Sequence, residues 1–285
     1  MNAQTREHIA EHLGHKILQC QPLQGGCIGE VYRVDLDSGS SVVAKVDSSA
    51  QPTLTIEGDM LTYLREHSAL PVPTVLLNTP QLLLMEHLRG DSHFSDPAQK
   101  HAAELLAALH SNSATTFGLD WDTRIGALHQ PNSQESDWLT FFRDHRILHM
   151  TDLAREEGVM PAGLHQRLHR FAADLDKFIK APVRPALLHG DVWTTNVLAA
   201  GNRITGFIDP AIYYGHPEIE LAFTTLFGTF GTPFFERYHE ISPISSGFFE
   251  IRKEIYNLYP LLVHVRLFGA GYLSGIERCI SRHGY

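Results

Sequence analysis

The sequence predicts an α+β fold in two lobes, a small five-stranded antiparallel sheet with one helix inserted, followed by a larger and mostly helical part. Three observations carry this prediction. Short apolar alternations with a period of two crowd into the first 88 residues, and apolar residues spaced three and four apart dominate from Arg89 onward. The 285 residues are 43% apolar and include 22 glycines, enough for one large or two modest cores. The change of period divides the chain into 1–88 and 89–285.

Taken in order, residues 5–14 have a helical period. KILQCQPL, EVYRVDL and SVVAKVD then alternate as strands, with GGCIG and DSGS as the turns of an antiparallel meander. A helix is expected from Pro52 to His67. PTVLLN and QLLLMEHL, split at Thr79 and Pro80, complete the sheet as a hairpin. Beyond Arg89, helical spacing runs through DPAQKHAAELLAALHSN, ESDWLTFFRDHRILHMTDLARE, LHQRLHRFAADLDKFIK, PEIELAFTTLF and the stretch from Phe248 to Arg282. Only Ala186 to Ile208 interrupts it, where VLAAGNRITGFID reads as a small hairpin turning at Gly201 and Asn202.

Charge and cysteine content narrow the function. With 32 acidic and 23 basic residues the formal charge is −9, which argues against a nucleic-acid partner, because phosphate backbones are bound by clustered Lys and Arg. Cys20, Cys27 and Cys279 fit neither a disulfide framework nor a paired zinc motif, and suit a reducing compartment. The N-terminus is polar and no run approaches 18 apolar residues, so the expectation is a cytoplasmic protein that does not engage a membrane.

The chemistry concentrates in LLHGDVWTTN, residues 187–196, and in FIDPA that follows. Asp191 and Asn196 stand five apart across a loop, and Asp209 ends the hairpin. Converging hard oxygen donors suit Mg²⁺, with Asn196 and Asp209 as its ligands, while Asp191 is left to accept a proton from an attacking hydroxyl. Any one of them alone is ordinarily a turn or cap residue. The spacing of all three matches the division of labour in phosphoryl transfer.

The first lobe offers what such a site lacks. Val43 and Lys45 share a strand face, so that Val43 can roof a purine while the lysine reaches phosphate. Glu57, twelve residues on, can hold that lysine extended. QGGCIGEVYRV places Gly25, Gly26, Cys27 and Gly29 in a turn where backbone amides approach phosphate closely, although such turns are commonly only tight hairpins. MEHL, residues 85–88, ends the fifth strand at the lobe junction, with Met85 and the backbone of Glu86 and Leu88 available to an adenine edge.

The order of lysine strand, helix glutamate, MEHL, LLHGDVWTTN and FIDPAIYYGHPEIELAFTTLFG resembles the fructosamine kinases, or ketosamine kinases, within the protein-kinase-like and aminoglycoside-phosphotransferase-like fold. The resemblance runs from about Gln19 to the C-terminal helices, and HGDVWTTN and DPAIYYGH with LFG are its most specific parts. It implies ATP- and Mg²⁺-dependent phosphorylation of the 3-hydroxyl of a ketosamine, a ribulosamine, erythrulosamine or fructosamine adduct of lysine, and a role in protein deglycation. It further implies Asp191 as catalytic base, Asn196 and Asp209 as metal ligands, Lys45 and Glu57 as the nucleotide pair and Trp193 as a wall of the sugar pocket. Thr194, Tyr214 and His216 are read as candidate acceptor contacts beside them. The chain departs from the family where Thr194 and Thr195 replace the usual serine and glycine, and where Glu220 replaces an aspartate.

Other functions remain open to the sequence. A same-fold kinase for an aminoglycoside or choline-like acceptor lacks Trp193 and DPAIYYGH, and a nucleotide-binding pseudokinase is expected to have lost catalytic positions that are present here. His145 and His149 have the i, i+4 spacing of a metal pair but no third ligand is apparent in the sequence. His189 is expected to brace the loop, and His216 either lines the acceptor pocket or caps the helix starting near Pro217. The protein is expected to be a monomer or a redox-linked dimer through Cys27, whose thiol, next to the phosphate turn, would block nucleotide binding on oxidation.

Overall fold

The fold is that of a computed structural model, described for residues 1–23, 29–180 and 184–285. Gly25, Gly26 and Cys27 lie outside the described residues, and with them the redox role expected of Cys27. A first helix, α1 (Ala3–Leu13), begins where the Asn2 side chain accepts the Thr5 N–H at 2.8 Å and ends on Gly14 in the left-handed conformation. It leads into strands β1 (Ile17–Pro22), β2 (Glu30–Leu36) and β3 (Ser41–Val46), then helix α2 (Leu54–His67) and the hairpin of β4 (Val75–Asn78) and β5 (Leu82–Glu86). Their order in the sheet is β1-β2-β3-β5-β4, antiparallel throughout, because α2 carries the chain past β3 and the hairpin returns β5 to its side.

The two faces of β3 do different work. Val42, Ala44 and Val46 point into a small core with Val34, Leu36, Leu82 and Leu84, closed by Ile9 of α1. On the opposite face Val43, Leu83 and Met85 join the main core together with Leu54, Met60, Leu61 and Leu64 of α2. Strand alternation therefore delivers Lys45 to the buried side, next to α2.

The remainder is mostly helical: α3 (Asp96–His110), α4 (Trp138–Phe141), α5 (His149–Glu156), α6 (Ala162–Ala173), α7 (Pro217–Leu226), α8 (Thr232–Ile241), α9 (Lys253–Tyr256), α10 (Leu258–Phe268) and α11 (Leu273–Arg282). Three short strand pairs thread between them: β6 (Thr123–Ile125) with β7 (Leu128–Gln130), β9 (Val197–Ala200) with β10 (Arg203–Phe207), and β8 (Ala186–Leu188) with β11 (Tyr213–Gly215). The β9–β10 hairpin follows the expected turn. The β6–β7 and β8–β11 pairs were beyond periodicity, since three residues are too few to show a period. Helix α8, also unanticipated, packs Phe234 and Tyr238 inward, on the side where α3 lies.

Between α4 and α5 the chain forms a π-helix, Phe142–Leu148. Its wider turn places Arg146 fully inside the protein, donating to the Pro131 carbonyl at 2.6 Å and Asn132 Oδ1 at 2.7 Å, with its guanidinium 4.0 Å from the centre of the Tyr213 ring. The same turn removes the premise of an i, i+4 pair at His145 and His149. His145 faces Glu135 at 3.6 Å, whereas the His149 ring lies against His129. Among the described residues no helix is long and apolar enough to cross a membrane.

Candidate active site

Lys45 Nζ donates to Glu57 Oε1 at 2.7 Å and to Asp209 Oδ1, so strand, helix and downstream loop meet at one ammonium. Burial disfavours its charge, but the two carboxylates outweigh that and hold Lys45 above its ordinary range. Glu57 is pushed upward by the same burial, against the pull of Lys45. Asp209 is the one non-glycine residue with positive φ, 52°, among the described residues. A carboxylate fixed in that unfavourable conformation at the end of β10 is backbone strain of the kind kept at working sites.

The loop from His189 to Asn196 is fastened by backbone bonds to the residues on either side of Asp209. The Ala211 N–H donates to the His189 carbonyl at 2.7 Å and the Ile208 N–H to the Asn196 carbonyl at 3.0 Å. Gly190 has φ +85°, and a Cβ there would lie 2.0 Å from the Ala211 carbonyl oxygen, so only glycine permits this approach. Asp191 is half-buried, and burial, reinforced by the charge of Asp209, pushes its carboxyl up to about 8 although Asn196 Nδ2 donates to it at 2.8 Å. His189 is fully buried and accepts the Asp191 N–H on Nδ1 at 3.3 Å. Burial holds this imidazole below its ordinary range, which fits a neutral brace.

Behind the loop lies a buried polar chain that sequence reasoning missed. Glu220 accepts the Gly190 N–H at 2.6 Å and His110 Nε2 at 2.8 Å, and the Tyr238 hydroxyl is 2.7 Å from His110 Nδ1. Burial opposes the charge on Glu220, but the bonds from His110 and Gly190 hold its carboxyl below the ordinary range. The signal in the sequence was Glu220 itself, which with Glu218 is one of two charged residues in a largely apolar helix. Neither His110 nor Tyr238 carries a local mark.

Two residues beyond Asp191, Trp193 lies 5.6 Å from Phe227 and 6.4 Å from His264, ring centre to ring centre. His264 in turn contacts Phe268 and Tyr272, and Phe227 and Phe268 are exposed. Thr194 Oγ1 is 3.2 Å from Thr229 Oγ1, and Thr195 is exposed. An aromatic group open to solvent beside a half-buried carboxylate is a surface made for a ligand.

Two residues expected at the acceptor have other partners in the structure. The Tyr214 hydroxyl meets that of Tyr63 on α2 at 3.1 Å, which makes it a contact between helix and sheet segments. His216 caps α7, its Nδ1 accepting the Glu218 N–H at 3.1 Å, and burial pushes it down to about 3. It lines a separate cavity of about 250 Å³ with His110, Glu218 and Tyr238. On the nucleotide side, Val43 pairs with Met85 across β3 and β5, and Leu88 packs against Gly206 of β10. The Glu86 N–H already donates to the Thr74 carbonyl at 2.9 Å, so Glu86 keeps only its carbonyl for a base. Gly29, at φ +68°, sits against the Val46 carbonyl, where a Cβ would come within 2.3 Å.

The fructosamine kinase family model matches residues 1–283. The chain belongs to the fructosamine kinase family. A "Probable ketoamine kinase" from Enterococcus faecium is 32% identical over 266 residues, covering 91% of this chain and 93% of the relative. The chloroplastic protein-ribulosamine 3-kinase of Arabidopsis thaliana is 30% identical over 283 residues, covering 96% and 85%. A crystal structure from Haemophilus somnus, assigned as a fructosamine-3-kinase, superposes with a TM-score of 0.86 at 29% identity, over 99% of this chain and 97% of that one. A thermostable aminoglycoside phosphotransferase mutant, at 17% identity and a TM-score of 0.68 over 98% and 99% of the chains, shares the kinase-like fold. Like its family, the protein is an ATP-dependent phosphotransferase.

Proposed function

We propose that this protein transfers the γ-phosphoryl group of ATP to the 3-hydroxyl of a ketosamine carried on a lysine amine. Residues 1–88 form the nucleotide-binding lobe and 89–285 the catalytic and acceptor-binding lobe, in the cytoplasm. The observation that carries the reading is the placement of Asp191 two residues from Trp193, with Phe227 and His264 completing an aromatic wall. Flat apolar rings suit the C–H face of a sugar, and the carboxylate next to them suits its hydroxyl.

In this mechanism Lys45, kept extended by Glu57, binds the nucleotide phosphates, and the Glu86 carbonyl and Leu88 backbone hold the base. Asp191 accepts the proton of the attacking 3-hydroxyl, and Asn196 keeps the Asp191 carboxylate aimed. The donor set fits Mg²⁺: Asp209 offers a hard carboxylate, and Asn196 Oδ1 has, among the described residues, only a long 3.5 Å contact from Thr195. Asn196 and Asp209 would hold it, and when bound it neutralises charge on the phosphates. A phosphate on C3 sits next to the C2 carbonyl, so enolisation towards C1 expels it and leaves an imine that water hydrolyses from the lysine.

The test is incubation with ATP, Mg²⁺ and a panel of ribulosyl-lysine, fructosyl-lysine and an aminoglycoside, with products read by mass spectrometry. Phosphorylated ketosamine is the expected product, and phosphate on the aminoglycoside alone would overturn the reading. A Trp193→Ala variant is expected to raise KM for the ketosamine about tenfold, the loss of roughly 1.4 kcal/mol of aromatic contact, with KM for ATP unchanged. An equal change in both KM values would place Trp193 outside the acceptor wall.

A further inference from the structure

On α5 and α6, Asp152, His165 and His169 bring their ligand atoms within 4.8 Å of one another. We infer that these three side chains form a binding site for one divalent transition-metal ion of the Zn²⁺ class, clamping α5 to α6. Both imidazole Nε2 atoms already lie 2.7 Å from the same oxygen, Asp152 Oδ1, and the two rings are 4.4 Å apart between centres. Two N–H groups converging on one carboxylate oxygen is an arrangement in which a metal ion can take the place of two protons. A four-coordinate site with bonds near 2.0 Å needs ligand atoms roughly 3.3 Å apart. The ligand atoms, within 4.8 Å of one another, stand close to that spacing.

The scaffold is rigid where the site needs it. His165 and His169 are one helical turn apart on α6, whose other face buries Leu164, Leu168 and Phe171. Asp152 is on α5, anchored by the buried Met150, Thr151 and Ala154. The donors select the ion: two imidazoles and one carboxylate suit Zn²⁺, Co²⁺ or Ni²⁺, whereas Mg²⁺ prefers oxygen throughout. Side-chain exposures of 26%, 39% and 46% for His165, His169 and Asp152 leave the fourth position to water and let the ion exchange with solvent. The pair HQRLH is visible in the sequence, but its third ligand lies thirteen residues upstream on another helix and becomes apparent only in the fold.

The experiment uses the untagged full chain in excess Mg²⁺, which keeps hard-oxygen positions occupied. Zn²⁺ is titrated by calorimetry, and Co²⁺ is followed by its visible d–d absorption. One equivalent of saturable binding is expected, with tetrahedral Co²⁺ intensity and a higher melting temperature in Zn²⁺. His165→Ala, His169→Ala and Asp152→Asn are each expected to weaken binding by more than about tenfold and to abolish the melting shift, while His145→Ala leaves both unchanged. Undiminished Zn²⁺ affinity in His165→Ala and Asp152→Asn, or no saturable binding to the unmodified chain, overturns the inference.

Discussion

An Asp191→Asn variant is expected to lose about two to four orders of magnitude in kcat while KM for ATP stays close to that of the unmodified enzyme. The amide keeps the size and the contact with Asn196 but cannot take a proton from the acceptor hydroxyl. A second readout separates this from damage to the fold. The Asp191 carboxyl is raised to about 8 by burial and by Asp209, far above its value in an unfolded chain. Between those two values the folded protein holds a proton that the unfolded chain has released. Stability contributed by Asp191 is therefore fully present below the unfolded value and falls as pH rises towards 8. The asparagine variant carries no such loss. Without nucleotide or metal its melting temperature should exceed that of the unmodified protein by a margin that grows from about pH 4 to pH 8. Wild-type turnover in the variant would move the base elsewhere, and a margin independent of pH would mean that Asp191 is ionised without cost.

Much of this was legible in the sequence, and the limits are physical. Strands β1 to β3 and α2 declare themselves because a period is written into six or more residues, and β4 and β5 because two short apolar runs are split at Thr79 and Pro80. Asp191, Asn196 and Asp209 were legible because they lie within 19 positions of one another on a loop and a hairpin. Lys45 and Glu57 were legible as a pair because a strand and the next helix leave few ways to place them apart, yet the additional contact from Asp209 spans 164 positions and left no local trace. The aromatic group around Trp193 was half legible. Trp193 is marked by its loop, but Phe227 and His264 come from α7 and α10, and His264 reads as one more core residue of an aromatic helix. The partners of His216 and Tyr214 were hidden for the opposite reason. Both sit close in sequence to Asp209, but β11 alternates its side chains, turning Tyr213 under Arg146 and Tyr214 towards α2.

Glu220→Ala is expected to cost about 3 to 5 kcal/mol of folding stability in chemical denaturation, because it removes two charge-assisted bonds at once and leaves their donors inside the protein. The orphaned groups would be the half-buried Gly190 N–H and the buried His110 Nε2, and the His189 N–H would lose a longer 3.4 Å contact. Turnover should fall as well, since Gly190 precedes Asp191 and its N–H is held by Glu220. Glu220→Gln should be milder, at less than half that loss. Its carbonyl can still accept from Gly190, while its amide can donate to His110 once the imidazole changes tautomer and donates in turn to Tyr238. Glu220→Asp restores the residue usual in the family but is one methylene short, so it can satisfy Gly190 or His110 and not both. The double-mutant cycle of Glu220→Ala with His110→Ala measures what that methylene secures. A coupling near zero would mean that the loop is held by its backbone alone, and a coupling of about 1 to 3 kcal/mol would make the Tyr238–His110–Glu220 chain the reason this protein keeps glutamate at that position.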